Sequence, residues 1–257
     1  MIDHNRKGAR RRADITPAVQ RKLDSGEWPT ASLSEALAVD FVKLIKSVAP
    51  QVPATARRAL DPQLGITQRM KIAGGLLLDA YGPAAFAQFA AHPSDTVRGW
   101  AAYALAHDPQ PTLAARLKAI RLLADDAHFG VREWAWIALR PAIARDLPNA
   151  IVRLQPWTAS RRDNLRRFAV EITRPRGVWC SHINELKRNP EPALVLLSPL
   201  RADEAKYVQD SVANWLNDAS KSQPDWVREV CREWLAASDT AATRRICRRA
   251  LRTIDGG

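Results

Sequence analysis

The sequence predicts an all-α protein, a solenoid of stacked helix pairs, on three observations. A nine-residue apolar signature returns at a period near 34 residues, apolar residues inside each copy recur at helical spacing, and no strand signal is present. With 257 residues, 46% of them hydrophobic, the chain is long enough to spread a core along such an array.

From the N-terminus, residues 1 to about 22, including Arg6, Lys7 and Arg10 to Arg12, read as a flexible basic arm, and residues 23–257 as a single repeat domain. The arm's alternative role is that of a solubilising tail, since a charge run alone says little. From about Thr30 to Ala90 the pattern is helical without the signature, as in a capping repeat. Gly74 and Gly75 lie in the apolar run Lys71 to Ala80, where they predict close helix packing and not a phosphate loop. The signature is Val97-Arg-Gly-Trp-Ala-Ala-Tyr-Ala-Leu105. It recurs as Val131-Arg-Glu-Trp-Ala-Trp-Ile-Ala-Leu139 and as Leu165-Arg-Arg-Phe-Ala-Val-Glu-Ile-Thr173, each step being 34 residues. Tyr207-Val-Gln-Asp-Ser-Val-Ala-Asn-Trp-Leu216 restarts it after a step of 43, and Thr243-Arg-Arg-Ile-Cys-Arg-Arg-Ala-Leu251 after 35 more. The longer step leaves room for a Pro-flanked helix, Pro192 to Leu200. Copies open after clusters of Asp, His, Pro or Gly, such as His92-Pro-Ser-Asp95. A second amphipathic helix follows in most, as in Thr112 to Leu123 and Asp225 to Leu235. Helix pairs at this period predict a right-handed superhelical solenoid of HEAT-like helical repeats.

Thirty-nine Lys and Arg against 27 Asp and Glu give a formal charge of +12 and a pI of about 10.2, the balance of a polyanion binder. Nucleic acid is the first partner this suggests and an acidic membrane the second. No run of about 18 apolar residues and no apolar leader segment supports a membrane partner, so the expectation is a cytoplasmic, nucleoid-associated protein. Cys180, Cys231 and Cys247 are too widely spaced for a C-x-x-C pair and read as reduced, mostly buried thiols. The five histidines never fall at i, i+4, so no metal is expected, and no Walker or Rossmann glycine pattern calls for a cofactor.

Aligning the copies separates repeat architecture from candidate site. Trp100, Trp134 and Phe168 share the fourth place and Trp215 an apolar one, so all four are expected in the core. Trp136 stands where other copies hold Ala102, Val170 and Ala213, and is the tryptophan that packing explains least. Glu171 stands where others hold Tyr103, Ile137 and Asn214, between Arg167 and Arg174; its structural alternative is a surface ion pair of little weight. Asn214 is the repeat equivalent of Glu171, and Asp218 lies one turn beyond it, so two carboxylates from neighbouring repeats are expected in one groove. Arg140 and Arg174 are equivalent in adjacent copies and Arg176 follows closely, an expected track for phosphates, with a solvated helix face as the alternative.

Two segments carry a resemblance: Arg166-Arg-Phe-Ala-Val-Glu-Ile-Thr-Arg-Pro-Arg-Gly-Val-Trp179, and Tyr207 to Asp225 with its Ser-Val-Ala-Asn-x-Leu-Asn-Asp core followed by Lys221 and Pro224-Asp225. They resemble the bacterial alkylation-repair glycosylases of the AlkC and AlkD superfamily, AlkC more closely, strongly from residue 130 onward and weakly before it. The resemblance implies a HEAT-like solenoid that cradles duplex DNA and, as a monomer without cofactors, cleaves the N-glycosidic bond of alkylated bases. It implies catalytic roles for Glu171 and Asp218 and a substrate contact from Trp179; the repeat comparison and the charge pattern add Trp136 and Asn214 as expected substrate contacts and Arg140, Arg166, Arg174 and Arg176 as expected DNA contacts. One departure stands out. The AlkC-like pattern has an acid five residues before the Pro of Ala138-Leu-Arg-Pro141, where this chain has Trp136; Glu133 lies one turn earlier. The AlkD-like pattern has an Asp near Ala138, absent here as well. The alternatives are a HEAT-repeat protein that recognises damaged or branched DNA without cutting it, and a protein-binding scaffold whose binding would not track salt.

Overall fold

The structure, a computed structural model, describes residues 6–254; the first five residues of the expected basic arm and the last three of the chain lie outside the described residues. The described residues form helices and connecting turns, with no strand among them, and no helix is long and apolar enough to cross a membrane. The chain divides into two units, residues 1–139 and 140–257.

The first unit holds α1 (Pro17–Ser25), α2 (Leu33–Ala38), α3 (Phe41–Val48), α4 (Ile66–Tyr81), α5 (Ala85–Phe89), α6 (Asp95–His107), α7 (Leu113–Ala124) and α8 (Phe129–Arg145) up to Leu139. Helices α1, α2, α3 and α7 start on a side-chain cap. Thr16 accepts from Val19 N ahead of Pro17, and Thr112 accepts from Ala115 N ahead of α7. Trp100 is buried with its ring edge-on to Phe41, 5.2 Å between centroids, and Trp134 is buried too. Helices α4 and α6 pack closely because Gly74 has no side chain: a Cβ there would stand 2.3 Å from the Tyr103 Cβ. Gly75 has no such role, since a Cβ would meet only the His107 ring, at 3.4 Å. Arg6, from the expected arm, pairs with the buried Glu35 at 2.6 Å, and its guanidinium stands 5.5 Å from the Trp28 ring centroid.

The second unit continues with α9 (Leu147–Leu154), α10 (Asp163–Glu171), α11 (Asn184–Arg188), α12 (Leu194–Leu197), α13 (Lys206–Ser220), α14 (Pro224–Ala237) and α15 (Ala241–Leu251). The sequence expects one helix from Pro192 to Leu200. The structure breaks it into the single turn α12 between two 3-10 turns, because Pro199 has no N–H to continue the α-helical ladder. Phe168 stacks on Trp157, 5.0 Å between centroids, and α10 packs on α13, which packs in turn on α15.

A shared task appears at the second position of every signature copy. Arg98 donates from Nη1 to the carbonyls of His92 and Pro93 at 2.6 and 2.9 Å, and Arg132 to those of Asp126 and Ala127 at 2.7 and 2.9 Å. Arg166 donates to Ser160 O at 2.8 Å, Gln209 to Asp203 O at 2.7 Å and Arg244 to Asp239 O at 3.1 Å. Each side chain reaches back to carbonyls of the loop that leads into its own helix, which have no helical donor. Arg98 and Arg166 also hold an aspartate of a later loop, Asp126 at 2.9 Å and Asp203 at 2.6 Å.

Candidate active site

The site begins where one repeat stops early. Pro141 and Pro175 occupy the same place in their copies, and α8 runs through Pro141, whereas α10 ends at Glu171. Thr173 Oγ1 donates back to Ala169 O and Val170 O, at 3.2 and 3.1 Å, and residue 174 precedes a proline, which disfavours helical geometry. The unfinished helix leaves carbonyls to be met by other donors. Arg140 donates from Nη1 to Ile172 O at 2.9 Å, from Nε to Ser181 O at 3.0 Å, and from Nη2 to Arg174 O. The Trp215 indole donates to Thr173 O at 3.1 Å. The loop from Thr173 to His182 therefore folds over the Arg140 guanidinium. Gly177 makes this closeness possible, because a Cβ there would overlap the Cys180 sulfur at 2.0 Å and touch Arg140 at 3.5 Å. At the turn of the loop Trp179 takes a positive φ of 63°, a costly backbone for a bulky residue, and is 48% exposed.

Beneath this loop two carboxylates share one guanidinium. Glu171 closes α10 and Asp218 lies on α13, both nearly inaccessible at 3% and 5%. Arg174 places Nη1 3.2 Å from Glu171 Oε2, while its Nε and Nη2 both lie 2.8 Å from Asp218 Oδ2. The Ser211 hydroxyl on α13 donates to Glu171 Oε1 at 2.6 Å, and Arg167 approaches the same oxygen at 3.6 Å with its guanidinium 4.3 Å from the Tyr207 ring centroid. Glu171 is thus no surface ion pair. Burial raises the Asp218 pKa above the ordinary carboxylate value, and Arg174 opposes that only in part. Burial pulls the Arg174 pKa down, but Glu171 and Asp218 outweigh it and the guanidinium ends above its ordinary value. The arrangement fixes two carboxylates in a poorly solvated place, which is where a carboxylate acts most strongly on positive charge.

Residues 131–254 match the family profile described as DNA alkylation repair enzyme. The uncharacterized protein YhaZ of Bacillus subtilis (strain 168) is 37% identical over 117 residues, 46% of this chain and 32% of YhaZ. Among solved structures, Pseudomonas fluorescens alkylpurine DNA glycosylase AlkC, bound to DNA containing an abasic site analog, matches with a TM-score of 0.66 at 25% identity, over 83% of this chain and 61% of AlkC. AlkD2 from Streptococcus mutans shares the fold, with a TM-score of 0.59 at 20% identity over 78% of this chain and 98% of AlkD2. The second half of the chain thus matches a DNA alkylation repair enzyme family, and the chain shares its helical-repeat fold with AlkC and AlkD2. It spans less than two thirds of YhaZ and of AlkC alike.

The expected site residues divide into three groups. Glu171, Asp218 and Arg174 meet directly, and Arg176 joins them by donating to Asp218 O at 3.2 Å and to Ser222 Oγ at 2.6 Å. Arg140 and Arg166 are drawn into the framework instead. Arg140 is 2% exposed and capped onto three carbonyls, and Arg166 holds Ser160 and Asp203. Asn214 accepts from Arg252 Nη2 at 3.0 Å. Trp136, in the first unit, is 3% exposed and donates to Glu133 Oε2 at 2.9 Å, so of the two candidate indoles Trp179 is the exposed one. Sequence reading passed over Ser211 and Arg252. Ser211 holds the place that Trp100, Trp134 and Phe168 hold in other copies, a break of the same kind as Glu171. Arg252 is the repeat equivalent of Arg140 and Arg174, one place beyond the quoted signature.

Proposed function

We propose that this chain is a DNA glycosylase that excises N-alkylated, cationic bases from duplex DNA by hydrolysing the N-glycosidic bond, as a monomer without a cofactor. The observation that carries the reading is the pair Glu171 and Asp218 held on Arg174, next to the loop that carries the exposed, backbone-strained Trp179, inside the segment that matches the repair-enzyme profile. An alkylated ring nitrogen leaves the base cationic and already a good leaving group. When the C1′–N bond breaks, its electron pair goes to the base, which departs neutral, and positive charge develops on the deoxyribose. Glu171 stabilises that charge and takes the proton of the water that attacks C1′, leaving an abasic sugar and a free base. Asp218 holds two of the Arg174 N–H groups and keeps that guanidinium from neutralising Glu171 alone. The Trp179 indole face attracts the cationic base, worth about 0.5–2 kcal/mol.

The test is base release from duplex DNA treated with a methylating agent, with freed bases identified by mass. Glu171→Gln is expected to lower release at least about a hundredfold, the scale of a lost general base, and Asp218→Asn to lower it less, with DNA binding kept in both. Full activity of Glu171→Gln would exclude the role. The second reading, a DNA-binding repeat protein without glycosylase activity, is favoured by Trp136 in the place of the AlkC-like acid; salt-sensitive binding with no base release would select it.

A further inference from the structure

The arginines expected to line the phosphate track are tied to protein acceptors, while a different set stands out toward solvent. Helix α15 and its last turn carry Arg244, Arg245, Arg248, Arg249 and Arg252, with no carboxylate between Thr240 and Ile254. Like charges at 244 and 248, and at 245 and 249, are one turn apart and disfavour the helix. Its neighbour α13 offsets this only in part. Asp210 takes Arg245 at 2.6 Å and Arg249 at 3.2 Å, and Asn214, which carries no charge, takes Arg252 at 3.0 Å. Arg244 turns to Asp239 at 2.5 Å, so three of the five guanidiniums meet two carboxylates among the described residues. Arg248 and Arg252 are exposed, and Arg249 is exposed at its side chain. Burial first, and after it the nearby Arg249, pull the Arg252 pKa down.

The register connects this surface to the proposed site. Asp210, Asn214 and Asp218 follow one another at i, i+4 and i+8 on α13, a step of about 6 Å each. The first two hold arginines of α15 and the third holds Arg174. We propose that Arg248, Arg249 and Arg252 form a contact surface for the phosphodiester backbone of one DNA strand, leading it along α13 to the nucleotide at Glu171 and Asp218. The inference rests on the reading of the protein as acting on DNA. Guanidiniums crowded on one helix, with fewer carboxylates than charges, gain most from a polyanion that displaces their counterions.

The experiment measures affinity of the full chain for an undamaged, fluorescently labelled 20-base-pair duplex across a potassium chloride series. It compares the native protein with R249Q/R252Q, with R249K/R252K and with R228Q/R232Q, the last on exposed positions of α14. The expected result is a tenfold or greater loss for R249Q/R252Q and a log–log salt slope smaller by about 1.8, two contacts at about 0.9 each. R249K/R252K keeps the native slope and R228Q/R232Q behaves as native. A native slope in R249Q/R252Q, an equal loss in R228Q/R232Q, or no duplex binding by the native protein would each overturn the proposal. Circular dichroism melting of every variant establishes that the folded chain is compared. Base release by the native protein, measured separately, tests the glycosylase reading: its absence alongside an arginine-dependent slope removes that reading and leaves the strand surface standing.

Discussion

Asp218 shows at the residue scale how a site departs from what stability alone favours. Its carboxylate is buried, and burial raises its pKa above that of the unfolded chain even with Arg174 in contact. For a group of that sign the native state is favoured while the carboxyl is protonated, and the advantage is lost as pH rises through the folded pKa. Asp218→Asn removes the ionisation and keeps the shape. The variant is therefore expected to gain on the native protein in melting temperature as pH rises from about 4, the ordinary carboxylate region, to 7. A difference that does not change over that range, followed by thermal unfolding, would show that Asp218 ionises at no net cost. A carboxyl whose ionisation the fold disfavours is one whose charge serves something other than the fold.

At the scale of elements, the decisive event is that α10 stops before Pro175 while α8 continues through the equivalent Pro141. The repeat period, the core aromatics and the second helices α7 and α14 were legible in the sequence, because a repeated apolar pattern states its own period. Glu171 was legible as a break of that pattern, and Asp218 as a carboxylate one turn beyond its repeat equivalent Asn214. The destinations of the arginines were not. Arg98, Arg132 and Arg166 occupy one aligned place, so the comparison that marked Trp134 as architecture marks Arg166 as architecture too, a step hidden by reading arginine only for its charge. Arg140 required the loop: its task is to donate to carbonyls that exist only because α10 ends early. Arg140→Met removes those donors while keeping much of the buried volume. It leaves the carbonyls of Ile172, Arg174 and Ser181 to find others, and unmet groups cost about 1–3 kcal/mol each without adding fully. A total of roughly 3 kcal/mol lowers the melting temperature by about 6–12 °C in a chain of this size. A loss under about 2 °C would mean that the loop is held by other bonds.

Taken over the whole molecule, the two units each bury a carboxylate against arginine, with opposite consequences. In the first unit Glu35 accepts from Arg6 at 2.6 and 2.7 Å, from Ala9 N at 2.9 Å and from Ala31 N at 2.8 Å. Burial by itself would raise its pKa, but Arg6 and the two backbone N–H groups outweigh that and hold it below the ordinary value. Glu35 thus ties residues of the N-terminal segment to the start of α2 and, unlike Asp218, favours the fold when charged. A depressed pKa contributes stability that is present above the unfolded value and is lost as pH falls through the folded one. Glu35→Gln is accordingly expected to melt below the native protein at pH 7 and to approach it as pH falls through the carboxylate range, the reverse of the trend for Asp218→Asn. The check is a melting series of the native chain and both variants from pH 3.5 to 7. Parallel trends would mean that neither burial nor pairing separates the two carboxylates. Opposed trends would set Glu35, whose charge closes the first unit, apart from Asp218, whose ionisation costs folding stability at the candidate site of the second.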